Sequence, residues 1–236
     1  MARKNKENKN DKVLTLKRRL LAHLSPKDPV AEQYRTIRTN IQFSNVDQEI
    51  KTLVLTSSGS AEGKSTTSSN LATVYAQQGL KVLLIDADLR KPTAHYTFRL
   101  ENHSGLTNVL TRQSTLDQAV QETEVRELYV LTSGPIPPNP SELLASNQMG
   151  TLLKELKQQY DIIIFDTPPI LAVSDAQILA NQVDASILVV SSGKTDRTAA
   201  LRAKELLTNA KSKLLGVVLN NRKIDGGNYY YYYGGN

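Results

Sequence analysis

The feature that most constrains this chain is a series of short, unbroken apolar runs separated by stretches of helical period. Runs at Thr52–Ser57, Lys81–Asp86, Leu128–Thr132, Asp161–Asp166, Ser186–Ser191 and Leu214–Asn220 read as strands. Segments such as VLLI and DIIIF do not alternate apolar with polar residues, which marks strands covered on both faces, as in a parallel sheet. Helices are expected at Lys64–Gln78, Ser141–Gln159, Asp175–Asn181 and Thr195–Ala210, and from Val30 to about Phe43, where Tyr34, Ile37 and Ile41 keep helical spacing. Strand-helix alternation of this kind predicts an α/β fold with a mostly parallel central sheet and helices on both faces. At 236 residues the chain suffices for one substantial domain and is short for two large ones.

The first strand runs into the loop SSGSAEGKST and then into a helix. A glycine-rich loop in that place is a Walker A motif: its N–H groups turn inward around phosphate oxygens, and the helix N-terminus adds its dipole. The predicted fold is therefore a P-loop NTPase, with Gly59, Ser60, Ala61, Glu62, Gly63, Lys64, Ser65 and Thr66 as the nucleotide cradle. Lys64 is expected to reach the β- and γ-phosphates of ATP, and the Ser65 hydroxyl to ligate Mg²⁺. The loop departs from G-x-x-x-x-G-K-[ST] at Ser58, which stands in the first glycine position, with Gly59 one residue later. Acids follow two other strands: Asp86 and Asp88 in VLLIDADLRKP, and Asp166 in DIIIFDTPP. Ligands of open α/β sheets sit at the carboxyl ends of the strands, so these acids should converge on the loop. Asp166 fits a Walker B acid for Mg²⁺, and either Asp86 or Asp88 can take a proton from a nucleophile.

The flanks are of another kind. Residues 1–27 carry nine Lys/Arg against Glu7 and Asp11, a net +7, which leaves 20 basic and 21 acidic residues in the remainder. A nearly neutral body does not support a basic face for nucleic acid. The basic stretch reads as a flexible segment over 1–28 containing a short amphipathic pattern from Val13 to Leu24, and it suits an anionic membrane surface. No apolar run approaches the length that spans a bilayer or forms a secretory signal, and no cysteine is present. The three histidines (His23, His95, His103) lack metal-ligand spacing. The body is expected over 29–224, followed by a tail over 225–236 in which Tyr229, Tyr230, Tyr231, Tyr232 and Tyr233 are consecutive and flanked by glycine.

The aspartate pair with its following arginine, LLIDADLRKP, resembles the Walker A′ motif of bacterial tyrosine kinases of capsule and exopolysaccharide biosynthesis, relatives of the Min- and Par-type ATPases. The stretches EQYRTIRTN, GPIPPNPSELLAS and DTPPILAVSDA and the tyrosine tail are similar to stretches of the same family. The resemblance implies a protein-tyrosine kinase using ATP and Mg²⁺, with Lys64, Asp86 and Asp88 catalytic and Ser65, Asp86, Asp88 and Asp166 facing the metal. It implies that Tyr229–Tyr233 are autophosphorylated and that Glu32, Arg35 and Arg38 make subunit contacts in a ring-like homo-oligomer. It further implies protein tyrosine substrates, a separate membrane-spanning activator, and a cytoplasmic place at the inner face of the membrane. The alternative is a Min/Par-type ATPase switch; against it, Gly59 stands where that class carries its signature lysine.

Overall fold

A computed structural model describes residues 20–44 and 49–222; most of the basic segment and the tyrosine tail lie outside the described residues. Seven strands form one sheet in the order β3-β4-β2-β5-β1-β6-β7. They are β1 (Thr52–Ser57), β2 (Val82–Asp86), β3 (Val120–Glu122), β4 (Leu128–Leu131), β5 (Ile162–Asp166), β6 (Ala185–Ser191) and β7 (Lys213–Asn220). Every pairing is parallel except that of β3 with β4. The helices, in chain order, are α1 (Leu21–Leu24), α2 (Pro29–Phe43), α3 (Lys64–Ala76), α4 (Ala94–Phe98), α5 (Leu106–Leu110) and α6 (Leu116–Ala119). They continue with α7 (Pro140–Leu144), α8 (Asn147–Gln159), α9 (Asp175–Ala180) and α10 (Arg197–Thr208). Two separate apolar clusters, one on each side of the sheet, confirm the layered architecture: Tyr34, Leu71 and Tyr75 with Leu53 and Leu55 in one, Leu152, Leu156, Leu179 and Leu207 with Ile163 and Phe165 in the other.

α3 looks like a surface helix by composition (KSTTSSNLATVYA), yet its residues from Thr67 to Ala76 are buried. The short hydroxyl side chains make this tolerable. Ser68, Ser69 and Thr73 each donate to the carbonyl four residues earlier, so burial leaves their polar atoms bonded. Asn70 on the same helix and Gln77 at its C-cap hold both backbone groups of Ala22, tying α1 to the helix that starts at the phosphate loop.

Three departures from expectation have local causes. The helix expected over Ser141–Gln159 is two helices, because Ser146 is extended (φ −69°, ψ 156°) and caps α8 by accepting from the Met149 N–H. The edge strand β7 is partly exposed and not covered on both faces, with Val217 and Leu219 more than half exposed. The third is the run of short elements α4, α5, α6 and β3: at three to five residues each, none completes enough periods to leave a sequence pattern.

Candidate functional site

The parallel register sets the site. β2 and β5 are neighbours with Asp86 opposite Asp166, so both strands deliver an acid to the same edge at the same height. β5 also pairs with β1, whose carboxyl end becomes the loop Ser58–Gly63 and then α3. Lys64, the first residue of α3, therefore lies among acids from two neighbouring strands. Its ammonium is 3.2 Å from Asp88 Oδ2, 3.9 Å from Asp166 Oδ1 and 3.4 Å from Ser65 Oγ. All three charged side chains are nearly buried, at 11% exposed for Lys64, 8% for Asp88 and 3% for Asp166.

The loop's shape comes from braces outside it. Gly63 has φ 96°, a left-handed conformation suited to glycine, and a Cβ there would collide with Nδ2 of Asn220. That amide donates to the Glu62 carbonyl at 3.0 Å. Glu62 turns its carboxylate away from the loop's mouth, accepting from the Ser58 N–H at 3.0 Å and from the Thr195 hydroxyl at 2.8 Å. Lys194 donates to the carbonyls of Ser60 and Ala61, both at 2.9 Å. Three of the loop's carbonyls are thus held from outside, an arrangement compatible with a loop whose N–H groups take phosphate oxygens.

Asp86 and Asp88 differ in their surroundings. Asp86 Oδ2 accepts from the N–H groups of Thr93 (2.7 Å) and Ala94 (2.8 Å), capping the start of α4, while Oδ1 takes only a long 3.3 Å bond from the Asp88 N–H. Asp88 Oδ1 accepts from the Lys91 N–H at 3.0 Å. Burial, then the charge of Asp166, push the Asp86 carboxyl up to about 7 against the lowering effect of the two N–H donors. Burial likewise raises Asp166, despite Lys64, Ser65 and Ser68 pulling the other way. Burial alone would lower the Lys64 ammonium, but Asp166, Asp88 and Asp86 outweigh it and hold it above the ordinary lysine value. Three carboxyls around one ammonium leave the pocket short of positive charge. That donor set fits Mg²⁺ with its phosphate partner, since Mg²⁺ takes one or two carboxylates plus phosphate oxygens; among the described residues no group of three or more His, Cys, Asp or Glu forms a metal cage.

Stability should report this crowding. A carboxyl raised from 3.8 to about 7 binds a proton in the folded chain that the unfolded chain releases, so ligand-free stability is greatest at low pH and is lost as pH rises through that window. Asp166 acts with the same sign. Asp184, lowered by Lys157 and Thr52 although burial opposes them, acts in the opposite sense, and its contribution goes only as pH falls through its folded value, below 3.8. In chelator, Tm should therefore fall between about pH 5 and pH 8, and Asp86→Asn should flatten the slope. A Tm that climbs across this range would overturn the assignment.

The structure joins Lys64, Ser65, Asp86, Asp88 and Asp166 as the sequence pattern predicts, whereas Glu32, Arg35 and Arg38 lie elsewhere, on α2. There Arg35 pairs with Glu32 at 2.8 Å and donates to the Pro26 carbonyl, while Arg38 donates to the Val74 carbonyl. Tyr229–Tyr233 lie outside the described residues. Lys194, Thr195 and Asp175 escaped the sequence reading. Only their position just past β6 or β5, at the ligand-bearing edge, could have drawn notice.

A family model described as an AAA domain matches residues 50–212. The chain is 58% identical over 209 residues to the tyrosine-protein kinase YwqD of Bacillus subtilis, covering 89% of this chain and 88% of that one. Among solved structures, the chimerical protein CapA2B2 aligns with a TM-score of 0.85 and 43% identity over 87% of this chain and 90% of its own. The kinase domain of Escherichia coli tyrosine kinase ETK aligns with a TM-score of 0.83 and 36% identity over 90% and 85%. Strand ends that gather one lysine and three acids beneath a phosphate loop, together with these likenesses, establish that the chain belongs to the bacterial tyrosine-protein kinases of the P-loop class.

Proposed function

We propose that the chain transfers the γ-phosphoryl group of Mg²⁺-bound ATP to protein tyrosines, its own Tyr229–Tyr233 among them, and thereby regulates capsule or exopolysaccharide synthesis. The observation that carries this reading is Lys64, buried 3.2 Å from Asp88 and 3.9 Å from Asp166 at the foot of a loop whose carbonyls are braced by Asn220 and Lys194. Bound Mg²⁺ would neutralise the phosphates and the surplus of carboxylates. The chain's residues do the rest. Residues Gly59–Thr66 cradle the phosphates, Lys64 offsets charge that builds on the transferring group, and Ser65, Asp88 and Asp166 present oxygens to the metal.

Tyrosine is a poor nucleophile at neutral pH, with a pKa near 10. Asp86 is the best-placed base: Oδ2 is held by two N–H groups, Oδ1 keeps capacity to accept, and a carboxyl near neutrality is suited to take a proton. The acceptor tail belongs to a neighbouring copy in a ring whose contacts include Glu32, Arg35 and Arg38. A separate membrane-spanning activator holds the kinase at the inner face of the cell membrane, where the basic residues of 1–27 add about 1 kcal/mol each close to anionic lipid. Among the described residues no helix is long and apolar enough to cross a membrane.

The test uses γ-labelled ATP with Mg²⁺, with and without the activator's cytoplasmic segment. Label on Tyr229–Tyr233 supports the kinase; free phosphate with no labelled tyrosine supports a Min/Par-type switch instead. Replacing all five tail tyrosines by Phe should abolish tail labelling while leaving ATP affinity within about twofold, because none of them belongs to the Gly59–Thr66 cradle; by calorimetry, a tenfold loss of affinity, about 1.4 kcal/mol, would show the tail to be part of the nucleotide site.

A further inference from the structure

The loop after β2, residues 87–93, holds both acids of that strand end by its own backbone. Thr93 donates to Asp86 Oδ2 at 2.7 Å, and Ala94, the first residue of α4, donates to the same oxygen at 2.8 Å. Lys91 donates to Asp88 Oδ1 at 3.0 Å, which leaves Asp88 Oδ2 to the Lys64 ammonium. Wherever this loop sits, the two carboxylates go with it.

Arg90, the residue before Lys91, ties the loop to two others. Its Nε donates to Asp175 Oδ2 at 3.0 Å and its Nη2 to Asp175 Oδ1 at 3.2 Å, a two-pronged grip on one carboxylate. Nη2 also donates to the Ser141 hydroxyl at 3.1 Å, and Ser141 donates to Asp175 Oδ1 at 2.6 Å. Asp175 is fully buried at the start of α9, whereas the Arg90 side chain is 38% exposed, so Asp175 is the fixed post and Arg90 the arm that reaches it. Leu89, one residue earlier, is buried in the same apolar cluster as Leu144 of α7 and Ala176 of α9. Ser141 follows β4 and Asp175 follows β5, the two strands that flank β2, so the loop is moored on both sides.

We infer that Arg90 is a positioning residue for phosphoryl transfer: by mooring residues 87–93 to Asp175 and Ser141, it fixes where Asp86 and Asp88 present their carboxylates. This rests on both acids serving the reaction as proposed above. The path is continuous, from Asp175 through the Arg90 side chain and the backbone to the Lys91 N–H, then through Asp88 to Lys64. A planar fork on a planar carboxylate fixes direction as well as distance, which a single point contact does not. Without it the loop keeps its local turns but loses its reference to β4 and β5, and a displacement of about 1 Å at a reacting group can cost about 100-fold in rate.

The test separates mooring from mere stability. Arg90→Met leaves Asp175 buried without its cation, so Tm should fall; adding Asp175→Asn removes that charge and should recover most of the loss. In single-turnover labelling of the full chain with γ-labelled ATP, both variants should be slower by about 100-fold at saturating ATP, with the ATP concentration for half-maximal rate within about threefold of natural. In the ADP complex, Mn²⁺ affinity read by electron paramagnetic resonance should fall about tenfold in both, because a ligand whose support is lost holds metal less well. Arg90→Lys keeps the charge but not the fork and should recover only part of the rate. A double variant that regains both Tm and natural labelling would show that the knot serves the fold alone and would overturn the inference, as would natural Mn²⁺ affinity in that variant. Natural labelling in both Asp86→Asn and Asp88→Asn would instead remove the reading of the acids, and the positioning role with it.

Discussion

Replacing Lys64 by methionine should reduce tyrosine labelling by about 10³-fold or more, the scale seen when a preorganised charge partner of a transition state is lost. Lys64 is the cation that the structure sets between Asp88 and Asp166, and its nearly buried ammonium makes its charge count for more than an exposed one. Methionine keeps the length and the apolar stem but leaves those carboxylates facing each other. The folded chain has a way out, because burial already raises Asp86 and Asp166 and both can hold protons when Lys64 is gone. Activity should therefore collapse while the fold persists, and the pH dependence of Tm should steepen. Lys64→Arg should not rescue labelling, because the wider planar guanidinium does not fit a pocket shaped around a point charge. Single-turnover labelling with circular dichroism decides the matter. Labelling within tenfold of the natural chain in Lys64→Met would remove Lys64 from the chemistry.

The residues central to that prediction were legible in the sequence because each carries a local signal. A glycine-rich loop between an apolar run and a helix announces the cradle. Asp86 and Asp166 each close an unbroken apolar run, and the parallel register expected for such runs brings them level. The braces carry no such signal. Glu62 meets Thr195 across 133 positions and Arg90 meets Asp175 across 85, so neither pairing leaves a spacing to read. Glu62 itself reads as one more loop residue, and only the fold reveals that its carboxylate is turned inward as a pin. The short helices between β2 and β4 were hidden for a different reason, since tertiary burial holds them, α4 against α3 and α5 and α6 in the opposite apolar cluster, where intrinsic periodicity is too brief to show.

Gly63→Ala should lower Mg²⁺-ATP affinity about 100-fold, with a stability loss of about 1–3 kcal/mol, although it adds a single methyl group. Two effects combine. The left-handed φ of 96° is strained for any residue with a Cβ, and that Cβ would occupy the place of Asn220 Nδ2. Moving Asn220 releases the Glu62 carbonyl, and with it one of the holds on the backbone of the phosphate loop. The two effects separate in a double-mutant cycle. Asn220→Ala alone loses one brace and should cost less than Gly63→Ala. Adding Asn220→Ala to Gly63→Ala removes the collision but not the strained φ, so the pair should be less damaging than the sum of the singles. Calorimetric titration with a non-hydrolysable ATP analogue and Mg²⁺, alongside urea denaturation, reads both quantities. Additive effects would mean that Asn220 and Gly63 do not touch in solution, and natural affinity in Gly63→Ala would mean that the loop does not bind phosphate through the conformation seen here.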